Sequence, residues 1–235
     1  MSQIAADDDD CPIIALDRFI QATRDSGYKG TASAISELID NSIQAQATEI
    51  AVRIEAVEGD PPIEISVFDD GCGMDPFTLR QALRFGGSSR FGDRSGLGRY
   101  GMGLPNSSLS QASRVTVYTW QGNGKGRIKA ELKPSTVFSS YLDVDEIAGG
   151  KLQHVPAPKI AASAPPACRG PSGTLVVWQR CDRLDNRKIS TLERKLSAEL
   201  GRRFRHFIWR GVRLTVNGTA VEAIDPLYLH KSAKY

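Results

Sequence analysis

Glu37 and Asn41 stand four residues apart in the run ELIDNSIQA, a spacing that puts a carboxylate and an amide on one face of a helix. Both can then serve one ligand. The carboxylate can orient or deprotonate an attacking water, and the amide oxygen can ligate magnesium, which prefers hard oxygen donors. Asp40 stands beside them and can tune Glu37 or the metal. Taken alone, the pair reads more readily as polar residues on a solvated helix face, the commoner fate of Glu and Asn.

Three further segments carry chemistry. In FDDGCGM, Asp69 continues the alternation of Ile63, Ile65 and Val67, so its carboxylate points to the core side and needs a donor there. An adenine amino group supplies one through a charge-assisted hydrogen bond worth about 1.5–3 kcal/mol. Gly71 and Gly73 let the backbone turn and approach a flat base, although an acidic tight turn after a strand accounts for the same letters. GLGRYGMGL, residues 98–104 with the two flanking positions that complete it, leads into a helix and offers backbone N–H groups to phosphates, or else is simply a flexible loop. In SGTLVVW, Thr174 opens a strand and can place a hydroxyl near Asp69 and a base.

The elements that must position these groups follow from apolar spacing. Residues 12–28 and 31–46 read as helices, the second carrying Ile35, Leu38, Ile39 and Ile43, with Thr31 or Ser33 as its cap. Two alternating strands, residues 50–54 and 63–67, pair as a hairpin across the turn at 59–62. Residues 71–103 are rich in Gly, Ser and Arg and read as one long functional loop, with a helix opening near Leu104. Residues 114–120, 126–132 and 173–179 read as strands, the first two joined by QGNGKG, while 149–171, rich in Pro, Ala and Gly, reads as a surface excursion or mobile insertion. Leu192, Leu196, Leu200, Phe204 and Phe207 stripe a long basic helix, followed by a strand ending at Asn217-Gly218. This order, without regular beta-alpha-beta alternation, predicts an α+β two-layer sandwich: a mixed, mostly antiparallel sheet with helices on one face.

Composition narrows the class without choosing a partner. The chain has 235 residues, 40% of them hydrophobic and 24% charged, enough for a sizeable core. A net charge of +3 is too small to imply nucleic acid or membrane. Cys11, Cys72, Cys168 and Cys181 are widely spaced, which points to reduced thiols and a cytoplasmic location rather than a zinc site or disulfide framework. No stretch approaches the roughly 20 apolar residues of a membrane span. GNGKG lacks P-loop spacing, and His154, His206 and His230 are scattered.

Each bland alternative explains one motif and none explains all four in this order. Together they resemble the ATPase domain shared by gyrase, heat-shock chaperones, histidine kinases and MutL (the GHKL superfamily, with the Bergerat fold). The resemblance covers residues 15–229, after an acidic tail at 1–14 and before a linker start at 230–235. ELIDN, DDGCGM and G-x-x-G-x-G are most similar to the MORC, MutL and chaperone branch. The resemblance implies that ATP is the substrate, with Mg2+ held by Asn41 and water activated by Glu37. It puts Asp69 on adenine, with Gly71, Gly73, Met74 and Thr174 around the base. It puts Gly98, Gly101 and Gly103 at the phosphate-binding end of a lid spanning 71–103, and Ser88, Arg99, Tyr100, Met102, Leu104 and Asp40 are grouped with the nucleotide contacts.

The same resemblance implies slow hydrolysis, because such relatives complete the site with a cation from a following domain and this chain stops soon after DPLYL, as a fragment would. Arg90, Arg94 and Arg99 could neutralise phosphate charge in its place. Lid closure and a nucleotide-dependent homodimer are expected. Two other functions stay open: an ATP-switched binding module without turnover, with DNA a candidate partner through Arg202, Arg203, Arg205, Arg210 and Arg213; and a protein-histidine kinase. The glutamate opening ELIDN and the lack of a phosphoacceptor helix argue against the kinase.

Overall fold

The computed structural model describes residues 14–28, 30–87, 102–122 and 136–228. Helices α1 (Leu16–Ser26) and α2 (Thr31–Gln44) fall within the stretches marked by apolar spacing. In α2, Ala34, Ile35, Leu38, Ile39 and Ser42 are buried at three- and four-residue intervals, the stripe that a helix presents to a core. The expected side-chain cap is not made. Gly30 occupies the N-cap position, Ser33 Oγ donates back to Gly30 O at 2.7 Å, and Thr31 Oγ1 donates to Gln111 Oε1 at 3.0 Å. Thr31 is buried, so its hydroxyl is taken by a buried side-chain partner rather than by the helix end.

Strands β1 (Glu49–Ala56) and β2 (Ile63–Asp69) form the expected hairpin, with Ile50 opposite Asp69 and Ala56 opposite Ile63. Strand β3 (Arg114–Trp120) also lies where alternation placed it, and beyond it come β4 (Phe138–Asp143) and the two-residue β5 (Lys159–Ile160). Strand β6 (Gly173–Gln179) runs between β2 and β3, antiparallel to both. Strands β7 (Arg213–Val216) and β8 (Thr219–Ala220) complete an eight-stranded sheet of order β5-β4-β3-β6-β2-β1-β7-β8. Among the described strands, β1 and β7 form the one parallel pair. The fold is α+β with a mixed, mostly antiparallel sheet, as the interleaving of elements predicted.

The remaining helices are α3 (Pro76–Ala82), α4 (Gly103–Leu109), α5 (Val144–Ala148), α6 (Ile189–Arg203) and α7 (Arg205–Trp209). One core joins the apolar sides of all seven to one face of the sheet, where Ile50, Val52, Ile65, Val67, Val115, Val117, Val176 and Trp178 are buried. Parity then puts Asp69 and Thr174 on that helix-bearing face, since each continues its strand's inward alternation.

The opposite face is not bare. Phe68, Trp120, Leu175 and Val177 form a second buried cluster with Val137 and Cys168, against which Ala161 and Ala167 pack. The stretch 149–171, expected as a mere surface excursion, therefore contributes β5 to the sheet edge and an apolar cover for this face. Burying each such large side chain is worth about 1.5–3 kcal/mol, which explains why the segment stays attached.

Two other expectations change. The loop 71–103 contains α3, whose start is marked by Asp75 Oδ1 accepting from Thr78 N at 2.9 Å and by proline in the first turn. The long basic helix is two helices that meet at Phe204, which is buried and accepts from the N–H groups of Phe207 and Ile208 at 2.9 and 3.0 Å. The expected strand at 126–132 lies outside the described residues.

Candidate functional site

A cavity of about 320 Å³ opens on the helix-bearing face, within the usual size of small-ligand sites. From α2 it is lined by Glu37, Leu38, Asn41 and Ser42, from the end of β2 by Val67 and Asp69, and from β6 by Thr174 and Val176. The loop after β2 adds Cys72, Gly73 and Met74, α3 adds Phe77, and the start of α4 adds Gly103 and Leu104. Its carboxylates stand in two clusters, one where Asp69 meets Ser42 and one where Glu37 meets Tyr28.

Asp69 sits at one end and is only 6% exposed. Its Oδ1 accepts from Gly71 N and its Oδ2 from Ser42 Oγ, each at 2.9 Å. Burial pushes its carboxyl up to about 6, with those two hydrogen bonds pulling the other way. Beside it, Thr174 pairs with Asp69 in the β2–β6 register and is itself buried. Gly71 does not line the cavity but is held against it, since a Cβ there would lie 2.8 Å from both Ala45 Cβ and Asp69 Oδ1.

Gly73 has φ of +64°, and a Cβ on it would meet Trp120 O at 2.1 Å. Both the backbone conformation and the close approach therefore require glycine. Gly73→Ala is expected to lower the melting temperature by several degrees, consistent with a cost on the order of 1–3 kcal/mol for strain at such a position. Thermal unfolding followed by circular dichroism checks this; an unchanged midpoint would show that the loop takes another path.

At the other end, Glu37 Oε2 accepts from Tyr28 Oη at 3.0 Å. A Cβ placed on Gly103 would lie 2.2 Å from Glu37 Oε1, so the first residue of α4 packs its bare backbone against that oxygen. Asn41, one turn along α2, also faces the hollow. Asp40, grouped with the nucleotide contacts, is not among the residues that line the cavity. Its Oδ2 instead lies 3.4 Å from Arg203 Nη2 of α6. Burial raises the Asp40 carboxyl, Arg203 opposes that, and the Glu37 charge adds to it.

The structure thus brings Glu37, Asn41, Asp69, Gly73, Met74, Gly103, Leu104 and Thr174 together around one hollow. Met102 is the residue before α4 and is partly buried beside it. Ser88, Gly98, Arg99, Tyr100 and Gly101, with Arg90 and Arg94, lie outside the described residues. Of the basic row on α6 and α7, Arg203 reaches Asp40 and Arg202 lies 3.7 Å from Glu199, so neither is an unengaged cation.

Four positions were not singled out in the sequence. Ser42 holds Asp69, Tyr28 holds Glu37, and Gln121 Nε2 donates to Cys72 O at 3.3 Å. Thr119, fully buried, accepts from Met74 N at 2.7 Å and donates to Gly173 O at 3.1 Å, pinning both rims of the Asp69 end. A signal existed for two of them: Ser42 is a hydroxyl on the buried stripe of α2, and Thr119 continues the inward parity of Val115 and Val117, and a buried hydroxyl needs a partner.

Part of the chain also matches known proteins. Residues 28–144 match the model of the Histidine kinase-, DNA gyrase B-, and HSP90-like ATPase family. This segment belongs to that family. It contains Glu37, Asn41 and Asp69, while Thr174 and the helices α6 and α7 lie beyond it. The chain is 34% identical over 97 residues to Protein MICRORCHIDIA 6 of Arabidopsis thaliana, 40% of this chain and 14% of that protein. It is 37% identical over 100 residues to DNA mismatch repair protein MutL of Sphingopyxis alaskensis, 40% of this chain and 16% of that protein. It is 32% identical over 101 residues to ATPase MORC2 of Homo sapiens, 41% of this chain and 10% of that protein. The matched part of this chain is thus a small fraction of each relative. Among the described residues no helix is long and apolar enough to cross a membrane.

Proposed function

We propose that this GHKL domain binds ATP with magnesium in the cavity between α2 and the β2–β6 edge and hydrolyses it slowly. The observation that carries the reading is that one hollow collects a carboxylate and an amide from a single turn of α2 and, at its far end, a buried carboxylate beside a threonine. Gly71 N and Ser42 Oγ bond separate Asp69 oxygens, and a carboxylate offers about four acceptor directions in all, which leaves capacity for the exocyclic amine of adenine. Thr174 adds a hydroxyl at the same rim, and Gly73 lets the base lie close to the backbone.

The far end then receives the phosphates. No group of three His, Cys, Asp or Glu among the described residues could cage a metal. Magnesium that arrives on a triphosphate needs only one or two protein oxygens, and the Asn41 amide supplies one, so the residues fit. When bound, the ion neutralises phosphate charge. Glu37 orients water and takes its proton, in a reaction class where the protein contributes chiefly positioning. We further propose that the 71–103 segment closes over the nucleotide and that the closed form dimerises within a larger protein, as the family resemblance implies.

Calorimetric titration with a non-hydrolysable ATP analogue, with and without magnesium, tests the binding step. Saturable binding that tightens with magnesium is expected, and Asn41→Ala should weaken the magnesium-dependent affinity about tenfold, the loss of one oxygen ligand and its hydrogen-bonding role. If the unmodified chain gives no binding heat at either condition and does not shift its melting point, the cavity is not a nucleotide site.

A further inference from the structure

The geometry points to Tyr28 as a positioning residue that holds the Glu37 carboxylate in its water-activating pose, an inference that rests on the ATPase reading of the cavity. Tyr28 follows α1 and precedes α2, nine residues from Glu37 in sequence, yet its phenol donates to Oε2 at 3.0 Å. Its backbone is fixed independently, because Gln111 Nε2 donates to Tyr28 O at 2.9 Å. Gln111 is itself buried and its Oε1 takes the Thr31 hydroxyl at the first residue of α2. The phenol is therefore anchored from both the α4–β3 connection and the helix that carries its target.

This contact makes the two carboxylate oxygens unequal. Oε2 is tied to the phenol, while Oε1 is the oxygen packed against the backbone of Gly103. A glutamate side chain has several rotatable bonds, and fixing it costs rotamer entropy. The phenol prepays that cost before substrate arrives, which is what positioning means for a general base. The donor also persists at working pH: burial, with the adjacent Glu37 charge, pushes the phenol up to about 12. Asp40 and Arg203, paired just outside, set the remaining charge around this group.

Tyr28→Phe keeps the ring, which packs against the main core, and removes only the hydroxyl. At saturating magnesium-ATP, kcat should fall about tenfold, while the Kd for a non-hydrolysable analogue and the melting temperature stay unchanged. Full kcat in Tyr28→Phe, with turnover abolished by Glu37→Ala, overturns this inference and leaves the ATPase reading standing. A parallel loss of kcat, affinity and melting temperature overturns it too, by showing that the hydroxyl only supports the fold. Turnover that is absent from the unmodified chain, or that survives Glu37→Ala, removes the ATPase reading and the inference with it.

Discussion

Replacing Glu37 by alanine should lower ATP turnover at least about a hundredfold while leaving ATP affinity within about twofold, since a positioned general base contributes roughly that factor or more. The split between the two effects follows from the layout of the cavity. Glu37 packs against Gly103, whereas Asp69 pairs with Thr174 and Gly73 lies against Gly173, so the groups proposed to recognise the base make no contact with the replaced side chain. Asn41 is one turn away on α2 and keeps its place, because the buried stripe of Ile35, Leu38 and Ile39 holds the helix whatever stands at position 37. A hundredfold loss corresponds to about 2.7 kcal/mol of transition-state stabilisation. Steady-state phosphate release, measured beside calorimetric affinity for the same variant, separates the terms. Normal turnover in Glu37→Ala would remove the proposed mechanism, and lost affinity would make Glu37 a binding residue instead.

How far the sequence foretold this site depends on the range of each interaction. Asp69 was legible because strand parity is local: three apolar residues at every second position fix the face of the next one. Glu37 and Asn41 were legible because a helix turns about 100° per residue, which leaves them about 40° apart. The same arithmetic sets Asp40 about 60° to the other side of Glu37. That is enough to carry its carboxylate to Arg203 of α6, a contact 163 positions away along the chain. Nothing near Asp40 announces that partner.

The support of the site is similarly remote. Tyr28 with Glu37, Gln111 with Thr31, and Thr119 with Met74 each join residues from different elements. Strand β4 was missed because FSSYLD offers polar residues on both parities: Ser140 is buried against Pro156 O rather than among apolar side chains. The cover of the second sheet face was missed for a related reason. Proline and alanine in 149–171 have weak apolar periodicity, and their burial comes from Phe68, Leu175 and Val177 seeking cover, which is a property of the assembled sheet. Local pattern therefore revealed which residues face the cavity, and tertiary contact decided what holds them there.

Asp69 yields the second large effect, and its pH dependence has two opposite signs. In the free protein, burial raises this carboxyl to about 6, so the folded state binds a proton more readily than the unfolded chain does. The stability gained from that protonation is fully present below the ordinary carboxylate range and is lost as pH rises through about 6. Nucleotide binding runs the other way, because the ionised carboxylate is the better acceptor for the adenine amine. Below about 6, binding must first release the proton, and affinity should fall by up to about tenfold per pH unit. Asp69→Asn removes this group and places an amide where two acceptors stood. If its oxygen keeps Gly71 N, its N–H end faces Ser42 Oγ, which can accept by donating to Leu38 O instead, and that end no longer accepts from the incoming amine. Affinity for ATP at pH 7.5 should therefore drop about ten- to a hundredfold, the worth of a hydrogen bond to a charged group. The phosphates of the nucleotide titrate in the same range for both proteins, so the difference between the two pH curves isolates Asp69. If the curves run parallel from pH 5 to pH 8, this carboxylate does not touch the ligand.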